Sequence, residues 1–468
     1  MGRKNLLFLM TDQLVYDAMG HITKGIQTPY LDRLAERAVC FSRCYTGAPL
    51  CMPARASLAT GLYPQELGIE DNGCEGLTMQ SETWMQRVRD AGYETALFGK
   101  AHLHKFPSDM RDKEEQTRHY GYEIVNEMPG PRTYGIKKSS YYDYLKEHHL
   151  LECYCRDMDR RYREGHVYDC SPTPLPIKDY ADVYIADRAL EYLENVPQKS
   201  TWFCTVGFGG PHDPWDTPKE YADIYSDFAP PAPRKKPVSL NPDRPRGVYD
   251  EILNGKYDVS LTEDILNMTR ENVDGLRRSY YGHVTLIDKQ VGRILSCLEK
   301  RGMLDDTIIV FTSDHGEQNG DYGLLFKQTF FETSVRVPMM IAIPGEKHKR
   351  IDTPVELMDA GATLCDLLGV NQNLGHARSW LPMINGCSGE KKRIVSQLFG
   401  ETMLIENSFK AVFNKKDEVY LLFNLEEDPE ETRNMAATKQ TQEIEEKMKQ
   451  SLGEWRDTLK IPNIKNGL

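Results

Sequence analysis

Short apolar runs punctuate the chain, each closing on a polar residue or a glycine, with stretches of helical spacing between them. Residues 4–11 open the series: Leu6, Leu7, Phe8, Leu9 and Met10 follow one another without alternation. A run that is apolar on both faces is the pattern of a strand buried in a parallel sheet. Residues 94–98, 201–208, 307–312 and 337–343 repeat the pattern, and residues 39–45 predict a further strand. Helices are predicted between them. Residues 28–38 carry Leu31, Leu34, Ala35 and Ala38 on one face, with Thr28 placed to cap and Pro29 to begin the first turn. Residues 81–92 end on Gly92, residues 179–195 and 356–368 follow, and residues 263–300 read as a long helix with a break near Gly275 or Gly282. Strands alternating with helices define an α/β fold around a mostly parallel sheet.

The pattern changes towards the C-terminus. Residues 393–397, 403–406, 409–414 and 419–424 are short strands close together, and residues 442–458 form a closing helix. This predicts a small α+β domain with an antiparallel sheet over 376–468, following a catalytic domain over 1–375. Residues 107–173 are polar, aromatic and irregular, and read as an insertion over the mouth of a site. Cys153 and Cys155, with His148, His149 and His166 nearby, match no standard zinc spacing.

Size and charge narrow the function. A chain of 468 residues exceeds the usual single domain. A net charge of −12 argues against nucleic-acid binding. An anionic small molecule is still allowed, provided the cations are concentrated locally. The eleven cysteines are scattered and odd in number, the first apolar run is short for an export signal, and no run reaches transmembrane length. These features predict a reduced, cytoplasmic protein with no membrane partner.

The candidate chemistry centres on Pro49 to Gly61, where Cys51, Pro53 and Arg55 stand at the start of a helix that Gly61 can end. Cys51 then sits in the positive field of a helix N-terminus, which favours anions. A buried structural cysteine is one reading. A thiolate nucleophile of the cysteine phosphatase type is another, although those enzymes place the arginine six positions after the cysteine and Arg55 is four on. Other candidates stand just past predicted strands: Asp12-Gln13, Lys100-Ala101-His102, His212 between two prolines, and Asp314-His315 with Lys327 beyond. Asn72 lies in an Asp-Asn-Gly turn signal. In a parallel sheet, residues past the carboxyl ends of the strands gather at one edge.

Cys51-x-Pro53-x-Arg55 followed by Thr60-Gly61 resembles the signature of the sulfatase family, in the alkaline phosphatase superfamily. The other groups come in that family's order, and Tyr420 to Asn434 resembles its C-terminal Asp-Pro-x-Glu-x-x-Asn run. Asp12-Gln13, where many members have two aspartates, is similar to the choline sulfatase and phosphonate monoester hydrolase branch. The resemblance implies an alkaline-phosphatase-like three-layer α/β/α sandwich. It implies that Cys51 is oxidised to formylglycine by a formylglycine-generating enzyme, and that Asp12, Gln13, Asp314, His315 and the modified Cys51 hold one divalent metal. Hard oxygen ligands point to calcium, while His315 admits manganese or zinc. By the same resemblance Lys100 and Lys327 meet sulfate oxygens, Asn72 touches substrate, and His102 contacts the formylglycine. His212 faces the leaving group, and Arg55 orients the nucleophile. The implied activity is hydrolysis of a small sulfate ester of sugar, aryl or choline-like type. A phosphonate monoester or phosphodiester hydrolase with the same nucleophile, and a non-catalytic anion-binding relative that keeps the thiol, are the alternatives. Whether the chain forms a homo-oligomer stays open.

Overall fold

Eight strands form the central sheet of the computed structural model, which describes residues 3–254, 265, 267–371 and 373–460. In chain order they are β1 (Asn5–Asp12), β2 (Val39–Phe41), β3 (Glu94–Gly99), β4 (Ile124–Glu127), β5 (Trp202–Pro211), β6 (Thr307–Ser313), β7 (Met339–Ala342) and β8 (Lys349–Ile351). Their order across the sheet is β8-β2-β7-β6-β1-β5-β3-β4. β7 runs antiparallel to both of its neighbours, and the other pairings are parallel.

Every residue of β1 is buried, as an unalternating apolar run requires. Leu7 and Leu9 pack in one core with the helices α1 (Pro29–Ala35), α3 (Ala181–Asn195) and α4 (Arg270–Lys300). Leu6, Phe8 and Met10 pack in the other with α2 (Cys51–Thr60) and α5 (Asp359–Leu367). The result is the expected three-layer sandwich.

Several local expectations are corrected. α4 is one unbroken helix of 31 residues. Gly282 lies inside it because the backbone of Tyr221 comes close: a Cβ there would stand 2.8 Å from the Tyr221 carbonyl oxygen. Residues 263, 264 and 266 of the predicted helix lie outside the described residues. The Thr28 side chain does not cap α1. Its hydroxyl is taken by the Gly20 N–H and by Asp32, and the cap comes from Asp288, which accepts from the N–H groups of Tyr30 and Leu31 at 3.0 and 2.7 Å. The helix predicted at 81–92 spans Trp84–Asp90, with Thr83 and Gln86 capping reciprocally. Residues 39–45 split between β2 and a two-residue strand, Cys44–Tyr45, in a separate small sheet.

The stretch 107–173 is more regular than its polarity implies. It contains helices Glu114–His119, Ser140–Glu147 and Leu151–Asp159, and β4, which forms the edge of the central sheet. Tyr141, Leu145 and Tyr154 bury their side chains in the large core, which anchors these short amphipathic helices.

Four antiparallel strands, β9 (Ile394–Leu398), β10 (Glu401–Glu406), β11 (Phe409–Phe413) and β12 (Val419–Asn424), form the C-terminal sheet. One face packs on α6 (Gln442–Arg456) through Met448, Leu452 and Trp455. The other meets Tyr45, Leu50, Tyr322 and Phe331 of the larger layer. At that junction Lys410, fully buried, lies 2.7 Å from both Glu332 and Glu431. A buried lysine between two carboxylates resists separation, because parting them leaves unpaired charge in a dry interior. The sheet therefore backs the segment that leads into Cys51. Among the described residues, no helix is long and apolar enough to cross a membrane.

Candidate active site

β6, β1, β5 and β3 lie side by side, and their carboxyl ends supply the site. Asp12 closes β1, Lys100 follows β3, His212 follows β5 and Asp314 follows β6. α2 points its N-terminus at this edge, with Leu50 extended as the N-cap and Gly61 left-handed at the far end, φ 68°. All ten residues of α2 are buried, so Cys51 and Arg55 are held rigidly, one turn apart on one face.

Cys51 Sγ lies 3.1 Å from His315 Nε2 and 3.6 Å from Asp12 Oδ1. His315 Nδ1 donates to the Gly316 carbonyl at 3.0 Å, which turns the Nε2 lone pair into the site. Asp314 Oδ1 accepts the backbone N–H groups of Gln13 and His315, at 3.1 and 2.9 Å, and Oδ2 takes Arg55 Nε at 2.7 Å. Arg55 also donates from Nη1 to the Lys100 carbonyl, while Nη2 stands 3.7 Å from Asp12 without a hydrogen bond. Lys100 pairs with that same oxygen of Asp12, Oδ2, while Oδ1 faces Cys51. The donor atoms of Asp12, Cys51, Asp314 and His315 all fall within 4.8 Å of one another. Two carboxylates, an imidazole with a free lone pair and the side chain at 51 are donors that suit a divalent ion. The Cys153, Cys155 and histidine cluster of the 107–173 stretch forms no comparable group among the described residues.

Gln13 adopts φ 70° and joins the group from beneath. Its amide oxygen accepts from Lys327, and its amide nitrogen donates to Glu317. Lys327 Nζ is also 2.9 Å from His212 Nε2, and His212 Nδ1 meets the Asp213 carbonyl at 2.7 Å. His102, at φ 53°, is tied by its backbone N–H to Glu127, which also receives His104 and Thr117. The His102 ring stacks on Phe106 at 4.2 Å, and its Nδ1 is buried without a partner. Asn72 Oδ1 accepts the Met52 N–H at 2.9 Å, capping the first turn of α2 from outside.

The electrostatics follow from these neighbours. Burial alone pushes the Cys51 thiol up, but the Lys100 and Lys327 ammonium groups outweigh it and hold it well below its ordinary value. Burial and the charge at Cys51 likewise oppose ionisation of Asp12, yet Lys100, His212 and Arg55 keep its carboxyl at about 2. Burial and the Lys100 charge push His102 down to about 4, so its imidazole is neutral at physiological pH. Glu317, buried beneath Gln13, is pushed up by burial to about 7.

A cavity of about 320 Å³ opens above Cys51, lined by Asn72, Lys100, His102, Arg132, His212 and Lys327 among others. All nine residues singled out past the predicted strands and at Cys51 therefore meet in one place, with Arg55 behind and Asn72 at the wall. Sequence reasoning assigned no role to Glu317, Glu127, Asp213 or Arg132. Glu317 and Asp213 sit within two residues of singled-out histidines, which is the one signal that pointed to them.

Comparison with known proteins agrees with this geometry. Residues 4–370 match the family model described as Sulfatase, and residues 320–458 match that of the N-sulphoglucosamine sulphohydrolase C-terminal region. The chain is 31% identical to the choline-sulfatase of Rhizobium meliloti, over 93% of this chain and 83% of that protein. It is 27% identical to an arylsulfatase of Clostridium perfringens, over 94% of this chain and 92% of the relative. The crystal structure of the phosphonate monoester hydrolase of Agrobacterium radiobacter superposes with a TM-score of 0.79 at 24% identity, covering 97% of this chain and 96% of that one, and shows the same fold. The chain belongs to the sulfatase family of the alkaline phosphatase superfamily. It is a sulfuric ester hydrolase.

Proposed function

We propose that the chain hydrolyses a small sulfate ester to an alcohol and inorganic sulfate, using a formylglycine made from Cys51 by a formylglycine-generating enzyme. The observation that carries the proposal is Cys51 Sγ standing 3.1 Å from His315 Nε2 and 3.6 Å from Asp12 Oδ1, on the floor of a cavity lined by Lys100 and Lys327. Asp12, Gln13, Asp314, His315 and the side chain at 51 would hold one divalent ion, calcium by the hardness of most of these donors. When bound, that ion supplies positive charge against the ester's oxygens. Hydrated formylglycine supplies the hydroxyl that attacks sulfur.

The remaining steps belong to the chain's own side chains. Lys100 and Lys327 neutralise the nonbridging oxygens. In the free site Lys327 donates to His212 Nε2. A sulfate oxygen between them takes over the lysine, which leaves Nε2 free to take up a proton from solvent and pass it to the departing alcohol oxygen. His102 is neutral, and its unpartnered Nδ1 accepts the proton that must leave the nucleophile's second hydroxyl before sulfate is released. Arg55, fixed by Asp314, keeps the N-terminus of α2 against the strand ends. We also propose residues 1–375 as the catalytic unit and 376–468 as its C-terminal partner. A reducing cytoplasm suits a chain whose eleven cysteines are all unpaired.

An aryl sulfate compared with an aryl phosphonate monoester tests this reading. Sulfate presents three nonbridging oxygens. The phosphonate presents two and a carbon substituent, which leaves one buried cation without an acceptor. We expect kcat/KM to favour the sulfate by on the order of a hundredfold. A preference for the phosphonate would overturn the assignment.

A further inference from the structure

Among the described residues, Arg132 is the one cation of the cavity wall that the proposed reaction does not use. Lys100 and Lys327 lie on the floor, 3% and 6% exposed, beside Cys51. Arg132 stands higher, with 44% of its side chain exposed. Its Nε donates to Asp213 Oδ2, and its guanidinium lies 5.0 Å from the Phe326 ring centre and 6.0 Å from that of Tyr162. The head group is therefore aimed by one ion pair and two aromatic faces, while both Nη nitrogens have no protein partner among the described residues. A guanidinium fixed at Nε presents two parallel N–H donors, the arrangement that fits a carboxylate or sulfate.

The surroundings agree. No carboxylate lines the cavity above Cys51 among the described residues. Arg132 also lines a second cavity, of about 520 Å³, whose other walls include Ile136, Met158 and Tyr162 and whose Asp159 is paired with Arg163. Arg132 is the residue that lines both cavities, so it stands between the floor that holds the sulfate and the second space that could take the alcohol part. A quaternary ammonium finds no counter-ion there, and the Phe326 face that could receive it is already covered by Arg132.

We propose that Arg132 is a specificity-determining substrate contact, and that the preferred ester carries a second anionic group, a carboxylate or another sulfate, on its alcohol portion. The inference rests on the sulfatase reading above and adds the chemical class of the leaving group. It separates this chain from a choline-type specificity, which calls for a cation at the same place.

The test uses the matured full-length enzyme and phenyl sulfates that carry at the meta position hydrogen, a carboxylate, a carboxymethyl group or a trimethylammonium group. kcat/KM is measured for each with the unaltered enzyme, Arg132→Gln and Arg132→Lys. Ratios to the unsubstituted ester are compared across the proteins, so that any shared damage to the chemistry, and the electronic effect of each substituent, cancel. In Arg132→Gln the ratio for at least one carboxylated ester falls about tenfold, the worth of one partly exposed charge-assisted pair. The trimethylammonium ratio rises in the same variant. Arg132→Lys recovers part of the carboxylate preference. Ratios that stay within about twofold of the unaltered enzyme for every substituent would overturn the role of Arg132 while leaving the sulfatase reading intact. Failure of the aldehyde-bearing enzyme to cleave any of the sulfates would overturn both.

Discussion

Cys51→Ala abolishes turnover of sulfate esters while the protein remains folded and able to bind the product anion. The expected loss in kcat is on the order of 10⁴-fold or more, since the substitution removes the nucleophile and leaves only binding and charge to act on the ester. The fold should tolerate it. Alanine keeps the helix propensity of the first turn of α2, and the cap from Asn72 to the Met52 N–H involves no atom of residue 51. Lys100 keeps Asp12, and Lys327 keeps Gln13. Inorganic sulfate should therefore still protect the variant against thermal unfolding. Near-normal activity in Cys51→Ala would remove the side chain at 51 from the chemistry.

Asp314→Asn is expected to cost both activity and stability, because one carboxylate serves two partners. Oδ1 holds the backbone of Gln13 and His315, and Oδ2 holds Arg55 Nε. An asparagine oxygen can keep the two backbone donors. Its NH₂ then faces Arg55 Nε, donor against donor, and the buried guanidinium is left with Asp12 at 3.7 Å and a carbonyl. Breaking a buried pair in this way costs about 3–5 kcal/mol at the upper end. Loss of the negative charge also weakens the metal group, so kcat/KM should fall on the order of a hundredfold or more. Urea unfolding, kcat/KM and metal content per chain measure the three effects. A variant with full metal content and full activity would take Asp314 out of the ligand set.

Much of the site could be read from the sequence because it hangs on strand ends. An apolar run such as that from Leu6 to Met10 has one reading in a large α/β chain, and the residue that closes it lands at the sheet edge. Asp12, Lys100, His212 and Asp314 share that position on four adjacent strands. α2 was legible for a different reason: a proline in its first turn and Gly61 at its end bracket it locally. What escaped depends on distant partners. The cap on α1 comes from Asp288, far along the chain, and no local rule points to it. The direction of β7 leaves no trace in the composition of a fully buried strand. Gly282 suggested a break where the helix instead accommodates a neighbouring backbone. The helices of 107–173 carry polar outer faces, and their few buried tyrosines look like loop residues until the core that receives them is seen. Arg132 lies in that same stretch, three residues before Gly135, with no motif to mark it.

The most direct measurement is the intact mass of the active enzyme, followed by localisation of the modified residue. A chain lighter than its sequence by about the mass of a water molecule, with the change at residue 51 and turnover rising in proportion to the modified fraction, is the predicted result. A fully active preparation in which Cys51 remains an ordinary thiol would contradict it.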